Sequence, residues 1–186
     1  MIQRVTNFIR ARIRKYILEE IWLDDYIKMG MKVGGNCAIQ PGVVFDYSHC
    51  WLIKIGNNVT IAPQAYLLAH DASTKSIINY TKLGSITIED NVFIGARALI
   101  MPGVTIGKNS IIGAGSIVTK SIPADSVAVG NPAKVVATLQ DYVNKTDILL
   151  GNSKKYDQRF TIKGKISDLD KDKMYRDLME EIGFVI

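Results

Sequence analysis

The feature that most constrains this chain is a period of six. Aliphatic residues stand at Ile88, Ile94, Ile100, Ile106, Ile112 and Val118 without a break, and shorter runs cover Val33 and Ile39, then Ile55, Ile61 and Leu67. Four residues after each comes a small or branched side chain: Cys37, Val43, Val59, Ala65, Val92, Ala98, Val104, Ser110, Ser116. An amphipathic helix would repeat near 3.6 residues and a half-buried strand every second residue, so neither fits. Each hexapeptide reads instead as one short strand plus one tight corner, and the small residues Gly34, Gly56, Ala62, Gly95, Gly107 and Gly113 suit corners where a side chain would clash. A single such strand cannot bury its apolar side, whereas stacked coils bury a continuous ladder of Ile and Val. The expected architecture is a parallel β-solenoid.

Two segments interrupt the period. The step from Leu67 to Ile88 is not a multiple of six, so the chain must leave the solenoid in a loop, assigned to 69–87. The stretch DYSHCWL between Phe45 and Ile53 also needs an irregular turn. Before the repeat, Val5, Phe8, Ile9, Ile13, Tyr16, Ile17 and Ile21 mark an amphipathic helix over Val5–Ile27. Its first expected role is to cap the open end of the solenoid, whose terminal strands would otherwise expose unpaired edges. After Leu139 the pattern stops; Ser167 reads as an N-cap and Asp168–Ile182 as a short helix ending near Gly183. The expected organisation is an N-terminal helix in 1–30, a solenoid in 31–139 and a C-terminal extension in 140–186.

Composition narrows the function classes. With 47% hydrophobic and 22% charged residues the chain is an ordinary globular one. No apolar run is long enough to span a bilayer, and the N-terminus alternates arginines with aliphatics, which points to a cytoplasmic protein. The net charge of +5 is local to Met1–Leu18, which holds Arg4, Arg10, Arg12, Arg14 and Lys15 without an acid. A nucleic-acid partner is not expected, because it would want a broader basic face with interleaved aromatics. A basic amphipathic helix can lie in a headgroup layer, so peripheral membrane contact is the second reading of this segment. Cys37 and Cys50 make no metal-ligand spacing.

The stretch VTIGKNSIIGAGSIVTKSIPADSVAVGNPAKVV, Val104 to Val136, resembles the hexapeptide-repeat acyltransferase superfamily, and in particular the galactoside, maltose and capsular-sugar O-acetyltransferases. The likeness runs from about Val33 to Val136. It implies a left-handed parallel β-helix, a homotrimer, acetyl-CoA as co-substrate with no metal required, and transfer to a hydroxyl of a small-molecule or saccharide acceptor. Within the family, an antibiotic acetyltransferase and a sugar N-acetyltransferase are the rival readings.

Acyl transfer from a thioester to an alcohol needs a base for the hydroxyl proton, and histidine titrates close to the working pH. The chain has two histidines, His49 and His70. His70, in LLAHDAS at the start of the loop, stands where the resembling enzymes carry their catalytic histidine. His49, in DYSHCW, is read with equal weight as lining the acceptor pocket or stabilising its turn. Asp71 adjoins the catalytic candidate, but adjacency does not bring its carboxylate to the ring, and a backbone carbonyl would fix the tautomer as well. Neither cysteine is paired with a base, so direct attack is expected in place of an acyl-enzyme.

For the coenzyme the resemblance points to Phe93, where relatives have tryptophan, to Ala96, Ala114 and Thr119 along the pantetheine arm, and to Lys134 at the nucleotide end. Lys120 is expected to compensate for Ala137, which stands at a second basic position. At the acceptor, Asp46 takes the place of a sugar-holding asparagine, with Tyr47 or Trp51 offering a stacking face; a charged turn with two packed aromatics is the reading of equal weight. A γ-type carbonic anhydrase shares this architecture but needs a third zinc ligand that the two histidines do not supply. A catalytically inactive solenoid serving as an interaction platform is the non-enzyme alternative.

Overall fold

The computed structural model describes residues 22–186. Most of the expected helix Val5–Ile27, with its arginines, lies outside the described residues. The chain divides into two compact units, Met1–Leu139 and Gln140–Ile186.

The first unit is a three-faced parallel solenoid. Its first face carries Lys32–Val33, Ile53–Ile55, Ile86–Ile88 and Thr105–Ile106 in a four-stranded sheet. The second carries Ala38–Ile39, Thr60–Ile61, Phe93–Ile94, Ile111–Ile112 and Ser126–Gly130, closed by Ala133–Thr138, which folds back antiparallel. The third carries Val44–Phe45, Tyr66–Leu67, Leu99–Ile100 and Ile117–Val118. The register keeps the hexapeptide phase: Ile88 lies beside Ile106, Ile94 between Ile61 and Ile112, and Ile100 between Leu67 and Val118. Like apolar side chains therefore stack into the continuous buried ladder that stabilises a repeat fold.

The second inward position behaves as its spacing predicts. Val59, Ala65, Val92, Ala98, Val104, Ser110 and Ser116 are all buried, whereas Cys37 and Val43, on the first coil, are only half-buried. The two serines satisfy their hydroxyls internally: Ser110 Oγ donates to the Pro123 carbonyl (2.9 Å), and Ser116 Oγ accepts from Gly130 N (3.1 Å). At the corner between the second and third faces, a Cβ on Gly95 would sit 2.5 Å from Ala114 N, so the stacking of successive coils excludes a side chain there. The corner between the first and second faces has a device the hexapeptide pattern does not reveal. Asn58, Asn91 and Asn109 take left-handed φ values of 55–58°. Their amides pass hydrogen bonds up the stack, Asn58 to Asn91 (3.1 Å), Asn91 to Asn109 (2.9 Å) and Asn109 to Asp125 (2.8 Å).

The lower end of the solenoid is covered by the short helix Leu23–Lys28 and the residues after it. Tyr26 packs edge-on against Phe45, ring centroids 5.3 Å apart, and Met31 and Cys50 join the same core cluster. Burial raises the pKa of the Cys50 thiol, and its Sγ lies 3.8 Å from the Tyr26 carbonyl, as suits a structural thiol.

The second unit begins with a helix, Leu139–Asn152, which lies past the end of the hexapeptide pattern. Lys155–Tyr156 pairs in parallel with Phe184–Val185, and Tyr156 is buried against Phe160. Ser167 caps a helix as expected, accepting from Asp170 N (3.1 Å), but the helix ends at Asp177, not near Ile182. The chain leaves it early because Phe184–Val185 must return beside Lys155–Tyr156.

Candidate functional site

Both interruptions of the repeat fall at the same edge, between the third and first faces. On the first coil, Phe45 ends a third-face strand, and the irregular turn carries Asp46 and His49 into the 3-10 turn Cys50–Leu52. One coil on, Leu67 ends the next third-face strand and the excursion leaves. The excursion is closed at its base: His70–Asp71 pairs antiparallel with Lys82–Leu83, and Gly84 N donates to the Ala69 carbonyl (3.0 Å). Stacking of coils brings the two interruptions together although 24 residues separate Asp46 from His70.

Asp46 lies at the centre of the resulting cluster and is fully buried. Its Oδ2 accepts from Ala69 N (2.8 Å) and from His70 Nδ1 (2.5 Å), and its Oδ1 accepts from His49 N (3.1 Å). An ionised carboxylate only accepts, so His70 must carry its proton on Nδ1, leaving the Nε2 lone pair free. The reading of Asp46 as an acceptor-binding residue is corrected here, since both its oxygens are taken by protein donors and none of it reaches solvent. The carboxylate that orients His70 is Asp46, and neither Asp71 nor a backbone carbonyl takes that part. Asp71 serves the base of the excursion: Lys82 Nζ lies 2.9 Å from its Oδ2, and its Oδ1 accepts from Ser73 N (2.9 Å). Those bonds, that with Lys82 first, hold the Asp71 carboxyl well below the usual carboxylate range.

His49 stands beside His70, ring centroids 5.4 Å apart, and its other side meets Trp51 at 5.3 Å. Its Nδ1 faces Asp46 Oδ1 at 3.9 Å, beyond hydrogen-bond range. Asp46, His49 and His70 together have the ligand types of a metal site, with one atom of each within 4.8 Å of the others. In the arrangement described, Asp46 Oδ2 and His70 Nδ1 are engaged with each other in a hydrogen bond at 2.5 Å.

The remaining expected site residues lie at separate places on the solenoid. Thr119 lies above His70 on the same edge and joins Asp71, Lys82, Gly84, Met101 and Gly103 in lining a cleft of about 330 Å³. Lys120 follows Thr119 on that edge, exposed. Phe93, 43% exposed, points outward from the second face. Ala96 and Ala114 stack at the corner between the second and third faces, where the Ala96 carbonyl accepts from Gly115 N (2.8 Å). Lys134 lies on the returning strand opposite Val129. One chain thus brings together the two histidines, Asp46, Thr119 and Lys120 on one edge, and Phe93, Ala96, Ala114 and Lys134 elsewhere.

A family model described as the hexapeptide repeat of succinyl-transferase matches residues 85–120. The galactoside O-acetyltransferase of Escherichia coli K12 is 39% identical over 137 residues, 61% of this chain and 66% of that protein. Among solved structures, a maltose O-acetyltransferase from Clostridium difficile 630 is 31% identical with a TM-score of 0.51, covering 62% of this chain and 73% of its own. A galactoside acetyltransferase in complex with coenzyme A is 33% identical with a TM-score of 0.52, covering 73% of this chain and 82% of its own. The chain belongs to the hexapeptide-repeat acetyltransferase superfamily. Membership carries the left-handed sense of the β-helix, which the parallel sheets described above share. The chain spans 60–66% of the length of the first curated relatives it matches. No helix among the described residues is long and apolar enough to cross a membrane.

Proposed function

We propose that this superfamily member is an acetyl-CoA-dependent O-acetyltransferase that acetylates a hydroxyl of a sugar or saccharide by direct transfer. The observation that carries the reading is the bond from His70 Nδ1 to the buried Asp46, which makes Nε2 of a half-open ring the available base. Nε2 takes the proton of the acceptor hydroxyl as its oxygen attacks the thioester carbonyl carbon, and the resulting imidazolium is stabilised by the Asp46 carboxylate. The same Nε2–H then protonates the departing coenzyme A sulfur, returning the base to its starting state. Phe93, Ala96, Ala114, Thr119, Lys120 and Lys134 are assigned to the coenzyme. The coenzyme A in the solved galactoside acetyltransferase supports the co-substrate.

The separation of Phe93, Ala96, Ala114 and Lys134 from the histidine edge favours an active site completed between copies in a homotrimer. Surface chemistry supports the same assembly. The outward positions of the first face are polar, Lys32, Lys54, Thr87 and Thr105, whereas the third face presents Val44, Tyr66, Leu99 and Ile117 and the second presents Ala38, Thr60, Phe93 and Ile111. Two largely apolar faces and one polar face suit a closed ring of three chains.

The test is turnover of glycoside acceptors with acetyl-CoA by His70→Ala beside the parental protein. A loss in kcat of about 10²–10⁴, the usual contribution of a positioned base, with coenzyme binding retained, is expected. A well-folded His70→Ala protein with near-parental kcat overturns the assignment.

A further inference from the structure

The environment of His49 contains a group that the proposed mechanism does not use. Its Nδ1 is buried and finds no hydrogen-bond partner among the described residues, although the ring as a whole keeps 26% of its side-chain surface open. A buried unpaired nitrogen costs stability, so its persistence calls for a reason. The turn itself does not need the ring, because it is the backbone N–H of His49 that binds Asp46.

Facing a carboxylate at 3.9 Å, the ring is better placed with its proton on Nδ1 than with a lone pair there. Nε2 is then the acceptor, as it is in His70. Neither Nε2 makes a hydrogen bond among the described residues, neither is among the buried unpaired atoms, and the two side chains keep 26% and 29% of their surface open. Two hydrogen-bond acceptors of one kind therefore stand on neighbouring rings, centroids 5.4 Å apart, one hydrogen-bonded to Asp46 and the other facing it. Each hydroxyl they receive would sit about 2.8 Å from its nitrogen. An acceptor carrying two hydroxyls on neighbouring carbons matches the pair, one hydroxyl donating to each ring. Trp51, more than half exposed and 5.3 Å from His49, adds an apolar wall of the kind that packs on the C–H face of a pyranose.

We propose that His49 is a specificity-determining residue: its Nε2 receives a hydrogen bond from the hydroxyl next to the one that His70 deprotonates, so the site selects acceptors with adjacent hydroxyls. This rests on the acetyltransferase reading above. His49 transfers no proton in this scheme; it selects and orients.

The test compares methyl glucopyranoside and methyl galactopyranoside with their monodeoxy analogues as acceptors, for the parental protein, His49→Phe and His49→Gln. In the parental protein, removing the hydroxyl next to the acetylated one is expected to lower kcat/KM by about 3–10-fold, the range of one net hydrogen bond. His49→Phe keeps an aromatic ring against Trp51 but no nitrogen. It should bring the intact glycoside down to the level of that deoxy analogue and leave the analogue itself unchanged. His49→Gln, whose amide oxygen can accept near the position of Nε2, should recover part of the difference. A parental protein indifferent to every deoxy position, or a His49→Phe loss that is equal on intact and deoxy acceptors, overturns the inference while leaving the acetyltransferase reading intact. Transfer to none of these glycosides by the parental protein overturns the sugar reading itself.

Discussion

Replacing Asp46 by asparagine separates the two things this residue does, holding the ring and supplying a charge. The carboxylate accepts Ala69 N and His70 Nδ1 on Oδ2 and His49 N on Oδ1. An asparagine of the same shape can place its carbonyl oxygen at the Oδ2 position and satisfy two of these donors, opposing only His49 N with its NH2. The His70 tautomer is then preserved and the negative charge lost. A unit charge about 4 Å from the imidazolium centre is worth about 4 kcal/mol at an effective dielectric constant of 20. His70 is partly open to solvent, which reduces this to about 2–4 kcal/mol. That energy stabilises the imidazolium formed in the transition state, so kcat should fall by about 30- to 10³-fold. KM for acetyl-CoA should hold, because Asp46 touches none of the residues assigned to the coenzyme. Steady-state kinetics on folded protein reads both. An Asp46→Asn protein within about threefold of the parental kcat would refute the argument that the buried charge drives the base.

Lys134→Ala should raise the apparent KM for acetyl-CoA with kcat at saturation largely kept, as when ground-state and transition-state binding fall together; initial-rate kinetics checks this. Ile94→Ala, at a fully buried rung between Ile61 and Ile112, should cost about 2–5 kcal/mol in denaturant unfolding. Asp71→Asn should destabilise the base of the excursion in a pH-dependent way. Because the folded pKa lies below the unfolded value near 3.9, the contribution is present above that value and lost as pH falls through the folded one. Melting curves of the two proteins should therefore differ at neutral pH and converge in strong acid.

The ladder was legible from sequence because each rung obeys a rule local to six residues, an inward aliphatic followed four positions later by an inward small side chain. The excursion and the irregular turn were legible as interruptions for the same reason. The asparagine stack was not found, although Asn91 and Asn109 are 18 residues apart, one full coil, and that spacing was the available signal. The helix Leu139–Asn152 lies beyond the repeat, where Leu139, Tyr142, Val143 and Leu150 at spacings of 3, 4 and 7 were its sign.

The site divides along the same line. His70 could be named from its motif and its chemistry, both of which are properties of one short segment. The function of Asp46 could not, because nothing in DYSHCW shows that its carboxylate is buried or that a ring from the next coil will reach it. The repeat and the strand-and-corner unit could be read from the sequence because they follow from periodicity, and His70 could be proposed from side-chain proton chemistry. Only the fold shows that Asp46 orients His70, that Asp71 ties down the excursion, and that the expected coenzyme residues lie apart on the solenoid. Those outcomes depend on how coils are stacked and on which side chains lose contact with water, and neither is a local property of the chain.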